Sequence, residues 1–405
     1  GPPAPSQTQT PTTTGPVERE PSRGEEARAP APPTRVLHVI NGEHFAGAER
    51  VQDLLALRLG EHGYGVGFVA LKPGRFGEAR RSTAAPLTEL AMASRWDLRA
   101  ARSVARLATT GGYRLLHAHT PRSLLIAAIA ARRTGLPLVY HVHSPTSRDT
   151  THRLRNWLNA RVEAWGVRAA ARLITVSPTL TRHMQSQGVA ADTLCCVLNG
   201  VPAVPGATPR RPPTGEWTLG MVALFRPRKG AELLIESLAT LRSRGVPLRL
   251  RMIGPFESAA YGEQLTGLAR QRGVEGAIDW TGFTDCVPAE LAKVDALALP
   301  SLFGEGLPMV VLEAMAAALP VVATRCEGVA QAVVDRQTGL LVEPGSGAAL
   351  TAAIGQLVTG GVDYAALSAA ALDRHAERFS DAIMARNVAA VYGRLLGQPA
   401  SHATH

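Results

Sequence analysis

The stretch FGEGLPMVVLEAM places Glu305 and Glu313 at either end of seven intervening residues. Pro308 suits the first turn of a helix, where its missing N–H costs nothing, so residues 309–319 should be helical. The free amides of the segment 306–309 then sit at a helix N-terminus, a ready site for phosphate. Carboxylates flanking a phosphate would repel it, so they must be aimed elsewhere, and vicinal sugar hydroxyls on either side of a diphosphate fit. A second group, FRPRKG at 225–230, follows an apolar run and opens a helical pattern. Its three cations in four positions would neutralise a diphosphate. Each group alone has a plainer reading: a solvated basic turn, an exposed loop Glu, and a helix Glu paired with a surface Arg.

Histidines form the third constellation. His117 and His119, like His141 and His143, alternate at the ends of apolar runs, which puts two rings of each pair on one face of a strand. Four such rings could hold a metal. No matched acid or cysteine completes that set, so no metal site is expected.

These residues need elements to position them. From residue 35 the pattern alternates short apolar runs with helical ones: RVLHVING, a loop HFAGA, the helical ERVQDLLALRLGEHG, then VGFVAL, with recurrences at YRLLHAHTP, PLVYHVHSP, ARLITVS and LCCVLNG. A long helical region is expected from about Thr151 to Ala171. The strands are continuously apolar, as when helices cover both faces of a parallel sheet. Residues 203–216 break the pattern with prolines and glycines and read as a linker. A second series follows, with strands at TLGMVALF, LRLRMIG, IDWTGF, ALALPS, PVVAT and GLLVEPG and helices near 230–244, 258–273, 287–294 and 308–319. The expected organisation is a leader over 1–34, an α/β domain over 35–202, the linker, a second α/β domain over 217–385, and a helix over 386–398 packing back toward the first. Ligand would bind between the domains, at the carboxyl ends of the strands.

Composition bounds the rest. A chain of 405 residues favours two domains, and 45% apolar residues can fill their cores. Residues 1–34, rich in Pro and Thr, have little to bury, read as disordered, and lack the apolar core of a signal peptide. Four cysteines without a CxxC pair exclude a zinc knuckle and leave the cytoplasm as the default compartment. The net charge of +10 is uneven: residues 35–205 hold 22 Arg and Lys against 10 Asp and Glu, an excess of twelve. Such a lobe suits a phosphate-bearing substrate or an anionic membrane surface. Nucleic acid is not expected, because few aromatics interleave with the basic residues.

The ordered set AGAER, HAHTP, YHVHSP, ITVS, NGV, VALFRPRKG, IGP, WTGF, ALPSLFGEGLPMVVLEAMAAALPVVAT and GLLVEPG, over about residues 35–397, resembles glycosyltransferase family 4, whose members are retaining enzymes of the GT-B fold. The resemblance implies two Rossmann-like α/β domains facing across a cleft, a UDP- or GDP-linked sugar donor, and no cofactor or metal. It implies that Glu313 holds the nucleotide ribose, that Glu305 lies by the donor sugar, and that Arg226 and Lys229 neutralise the diphosphate with the amides of Gly306 and Leu307. Gly282 and Phe283 would border the base, and His143 would approach the donor sugar. Gly47, in the Ala46–Gly47–Ala48 loop, and Asn199, in NGV, would complete the donor site. His117, His119 and His141 are expected to pack or support.

There are departures from the family pattern. Leu224 stands where members often carry an arginine, with Arg226 two residues later, and Gln331 replaces the acid of a G-G-x-P-E loop. The implied activity is sugar transfer to a hydroxyl acceptor, in cell-surface polysaccharide or glycolipid synthesis, with a lipid-linked or phosphate-bearing acceptor at the inner membrane face. Two alternatives stand beside it: a non-catalytic scaffold binding sugar nucleotides or glycans, and a nucleotide-sugar epimerase of similar fold.

Overall fold

A computed structural model describes residue 1 and residues 32–94, 97–144, 161 and 164–398. Most of the leader expected over 1–34 and most of the helix expected from Thr151 to Ala171 lie outside the described residues, and Thr34, at the leader's end, already begins the first strand. The described residues from Pro33 to Gln398 form one compact unit built as two lobes.

The first lobe carries β1 (Thr34–Ile40), β2 (Tyr64–Ala70), β3 (Leu87–Glu89), β4 (Leu115–Ala118), β5 (Leu138–Val142), β6 (Arg172–Thr175) and β7 (Leu194–Cys196), all parallel, in the order 3-2-1-4-5-6-7. Its helices include α1 (Gly47–Arg58), α2 (Arg75–Ala79), α3 (Arg99–Thr110), α4 (Pro121–Thr134) and α5 (Pro178–Ser186). The second lobe carries β8 (Trp217–Val222), β9 (Leu248–Ile253), β10 (Ile278–Gly282), β11 (Ala296–Leu299), β12 (Val321–Thr324) and β13 (Gly339–Val342), again parallel, in the order 10-9-8-11-12-13. Its helices are α6 (Ala231–Ser243), α7 (Ala259–Gln271), α8 (Val287–Leu291), α9 (Met309–Ala316), α10 (Val329–Ala332), α11 (Gly347–Val358) and α12 (Tyr364–Arg378), and α13 (Asp381–Leu396) comes after them.

These are two Rossmann-like halves, the expected architecture. Helices cover the sheets, which is why β4, β5, β11 and β12 are buried at every residue. In each sheet the winding reverses once, between β1 and β4 and between β8 and β11, and such points open a crevice beyond the strands' carboxyl ends. One apolar cluster runs from the first sheet through Leu307, Met309, Val311 and Leu312 to α9, so the lobes share buried packing.

Three local differences from the sequence reading have physical causes. Helix α9 stops at Ala316 rather than Leu319, because Ala318 takes a positive φ of 56° just ahead of Pro320. The Ala46–Gly47–Ala48 segment is not a loop; Ala46 caps α1 and Gly47 begins it. Elements α2, β3 and α3 were not anticipated; β3 is a three-residue edge strand with no apolar run to announce it.

The final helix belongs to the first lobe by contact. Helix α13 packs on α1, and Arg58 Nε donates to Asp381 Oδ2 at 2.8 Å. Its start is pinned where Val201 bridges Ser380, and a Cβ on Gly200 would collide with the Ser380 carbonyl. Residues 203–216 carry no helix or strand, and Arg210 ties them to the second lobe through the carbonyls of Val294 and Ala317, each at 3.0 Å.

Candidate active site between the two lobes

A cavity of about 640 Å³ opens where the carboxyl ends of both sheets face each other. The chain after β8 supplies Leu224, Arg226, Arg228 and Lys229; the chain after β11 supplies residues 304–310; the chain after β5 supplies His143; and the first turn of α1 supplies Gly47, Ala48 and Glu49. The early amides of a helix have no partner within it, so α1 and α9 both turn donor-rich ends toward this space.

The basic turn is arranged by its own glycine and by the neighbouring loop. Gly230 has φ of 69°, and a Cβ there would strike the Pro300 carbonyl, so the turn lies flat against the β11 loop. Arg228 staples that loop, donating to the carbonyls of Phe303 at 3.1 Å and Gly304 at 3.2 Å. Lys229 reaches the buried Glu305 carboxylate, which also accepts from Ser301 Oγ at 2.6 Å. Burial lowers the Lys229 pKa, while Glu305 counteracts it. Arg226 lines the cavity and pairs with Glu257 at 3.7 Å.

Glu313 lies outside the cavity lining, its carboxylate buried and gripped by Arg50 of α1, which does line the cavity, with Nη1 to Oε2 at 3.0 Å. The plainer alternative of a helix Glu paired with an Arg is the arrangement found, with Glu313 buried between the lobes and Arg50 partly exposed on the cavity wall. A ribose hydroxyl can reach Glu313 only by sharing it with Arg50. Gly282 lies outside the lining too, with its carbonyl accepting from the Gly254 amide at 2.7 Å.

Several expected residues do converge. Phe283 borders the cavity, and the Arg75 guanidinium lies 4.3 Å over its ring, from the opposite lobe. Asn199 donates through Nδ2 to the Leu307 carbonyl at 2.9 Å, holding the α9 loop from the first lobe. Gly306 is packed so tightly that a Cβ would collide with the His143 carbonyl. Gly328 is crowded in the same way by the Gly306 carbonyl. Gln331 lies outside the lining, whereas Glu327 takes the amides of Gly304 and Glu305, each at 3.1 Å. The carboxylate missing at 331 thus has a neighbour four residues earlier that shapes the loop carrying Glu305.

Behind the cavity lies a histidine cluster larger than the sequence reading foresaw. The sheet register pairs His38 with His117 and, one step beyond Ala118 with Tyr140, sets His119 level with His141. His38, His117, His119 and His141 are buried and His143 half-buried. Desolvation lowers every one, His38 to about 3, His143 to about 4, and His117, His119 and His141 well below the usual value. Two overlapping triads, His38–His117–His119 and His119–His141–His143, each bring three ring nitrogens within 4.8 Å, close enough to share an ion. The nitrogens between His38 and His119 and between His119 and His143 are instead spent on each other, at 3.1 and 3.2 Å. The signals missed were His38 and Arg50, each inside a quoted motif, and Tyr392, which no motif contained.

Known proteins with similar sequences and folds point one way. Residues 216–360 match the family model described as glycosyl transferases group 1, and residues 45–203 match that of glycosyltransferase family 4. A D-inositol 3-phosphate glycosyltransferase of Streptomyces scabiei is 30% identical over 318 residues, 70% of this chain and 68% of that protein. A phosphatidyl-myo-inositol mannosyltransferase of Mycobacterium leprae is 28% identical over 280 residues, 67% and 72% respectively. Among solved structures, Anabaena HepE in complex with UDP-glucose superposes with a TM-score of 0.78 at 22% identity, over 89% of this chain and 99% of that one.

Proposed function

Since the chain belongs to glycosyltransferase family 4 and is a glycosyltransferase, we propose that it moves a sugar from a nucleoside-diphosphate donor, UDP- or GDP-linked, to a hydroxyl acceptor with retention of anomeric configuration. The observation that carries this reading is the cavity itself, with Arg226, Arg228 and Lys229 on one wall and the first turn of α1 opposite. HepE, with the same fold, is solved with UDP-glucose, which favours a uridine donor.

As the bond from sugar C1 to the diphosphate oxygen breaks, negative charge gathers on that oxygen. Lys229, Arg226 and the amides of Gly306 and Leu307 stabilise it in a water-poor site. The acceptor hydroxyl attacks C1 from the same face, and its proton passes to the departing phosphate oxygen. No carboxylate nucleophile is needed, unlike the paired acids of retaining glycosidases. This suits Glu305, whose carboxylate is already engaged by Lys229 and Ser301. His143 contacts the donor sugar in this scheme.

The acceptor binds the first lobe, whose excess of twelve positive charges fits a phosphate-bearing or lipid-linked acceptor at an anionic membrane surface in glycolipid or polysaccharide synthesis. The names of both relatives join glycosyl transfer to a phosphorylated inositol, which supports such an acceptor. No helix among the described residues is long and apolar enough to cross a membrane.

Calorimetric titration with UDP, GDP and ADP and their sugar conjugates tests the donor. One base should bind, and Arg226→Ala should weaken the diphosphate about 10- to 100-fold, as for a lost charge-assisted hydrogen bond, while the nucleoside alone is unaffected. No binding by any nucleotide to well-folded protein would end this reading. Binding to anionic vesicles should fall steeply with salt; salt-independent binding, or none, removes the membrane acceptor.

A further inference from the structure

We propose that Tyr392, on the returning helix α13, acts with His38 and His119 as a positioning chain that fixes His143 as its Nδ1–H tautomer, so that His143 offers a hydrogen-bond donor to the cavity. The functional meaning of that donor rests on the reading above, in which His143 faces the sugar; the chain itself does not.

The links are continuous. The Tyr392 hydroxyl lies 3.1 Å from His38 Nε2, His38 Nδ1 lies 3.1 Å from His119 Nε2, and His119 Nδ1 lies 3.2 Å from His143 Nε2. A neutral imidazole has one donor and one acceptor nitrogen. His38 and His119 each spend both nitrogens in the chain, so the proton position on one ring dictates the next. Only two settings avoid opposing two lone pairs or two protons.

His117 chooses between them. Its Nδ1 lies 2.5 Å from the same Tyr392 hydroxyl, and its buried Nε2 has no protein partner among the described residues. If Tyr392 gave its one proton to His117, then His117 Nε2 would carry a buried N–H with nothing to receive it. If Tyr392 gives its proton to His38, His117 Nδ1 donates to the tyrosine oxygen and Nε2 is left as a bare acceptor. Buried orphan donors are the rarer of the two, and because neutral His141 already carries one among the described residues, the first setting would bury a second. The second setting therefore holds: Tyr392 donates to His38, His38 Nδ1 to His119, and His119 Nδ1 to His143 Nε2. His143 must then carry its proton on Nδ1.

The surroundings hold the rings in this order. His141 stacks on His143, centroids 4.4 Å apart and planes within 12°, and its own nitrogens make no hydrogen bond among the described residues. Ser123 Oγ accepts from the His119 amide at 3.0 Å, fixing the backbone at the central link. The result runs against solution preference, since a free neutral histidine side chain favours the Nε2–H form.

The experiment is imidazole nitrogen-15 spectroscopy of the full chain labelled at histidine, with His143 assigned by difference from His143→Gln. The expected result is a protonated Nδ1 and an unprotonated Nε2 in the wild type, and reversion to the Nε2–H form in Tyr392→Phe. Tyr392→Phe should also lose roughly tenfold in kcat, about one hydrogen bond's worth. An Nε2–H tautomer in the wild type overturns the proposal, and this needs no Tyr392 variant to fold. An unchanged His143 tautomer in a folded Tyr392→Phe overturns it too, even if activity falls, because the tyrosine would then be merely structural. Stoichiometric metal on the cluster in the purified protein overturns it as well. If the tautomer is as stated but His143→Gln keeps full turnover, the chain stands and the assignment of His143 to the sugar falls instead.

Discussion

Arg50 and Glu313 clasp each other between the lobes, one from the first helix and the other from the helix behind the cavity, with Nη1 to Oε2 at 3.0 Å. Burial depresses the Arg50 pKa, but the charge of Glu313 and its hydrogen bond outweigh that, so the guanidinium ends above its ordinary value. Removing one member leaves a buried charge alone. Arg50→Ala should therefore cost about 3–5 kcal/mol in urea unfolding, whereas Arg50→Leu with Glu313→Leu should recover most of it. A double variant no more stable than Arg50→Ala would show that the pair is not what couples these helices.

Lys229 is aimed where the leaving diphosphate gathers charge, so its contribution should appear in kcat more than in donor binding. Lys229→Ala is expected to lower kcat by about 10²- to 10³-fold. Because the variant strands Glu305, the companion Lys229→Ala with Glu305→Gln separates the two effects. Recovery of folding without recovery of kcat assigns the loss to charge stabilisation; recovery of both removes Lys229 from the chemistry.

The sheets and the basic turn were legible because they are local: continuous apolar runs, Gly and Pro punctuation, and cations at a strand's end. What escaped depends on contacts distant in sequence. Glu313 reads as a ligand group until Arg50, 263 positions earlier, is folded against it. The histidines read as two pairs, and only the β1–β4 register adds His38 beside His117. Tyr392 has no local signal at all, since its partners lie 354 and 275 positions away. Edge strand β3 was lost for a different reason: three residues cannot show a period.

The buried histidines make stability depend on pH with a definite sign. His38, pushed to about 3, and His143, pushed to about 4, stay neutral in the folded chain when the unfolded chain takes up protons near pH 6.5. Stability is thus fully present above about pH 6.5 and lost as pH falls toward the folded values. Each such ring contributes a slope of about 1.4 kcal/mol per pH unit. Urea unfolding between about pH 7.5 and about pH 5 should show this decline, and His141→Phe, which removes one ring whose two nitrogens have no partner among the described residues, should make it shallower. A flat profile would mean the rings are not held neutral.

Gly306 sets how closely the lobes meet. A Cβ there would strike the carbonyl of His143 in the opposite lobe, and backbone cannot yield as a flexible side chain does. The collision can be relieved only by moving the α9 loop or by parting the lobes. Within its own lobe the loop is held by Arg228 on Phe303 and Gly304 and by Glu327 on the amides of Gly304 and Glu305, whereas across the lobes it is held by the bond from Asn199 to the Leu307 carbonyl. The lobes should therefore give way first. Gly306→Ala is expected to raise the radius of gyration measured by small-angle scattering and to lower kcat/KM, while far-ultraviolet circular dichroism stays at the wild-type level. An unchanged radius with full activity would show that the loop, not the interface, absorbs the extra methyl group.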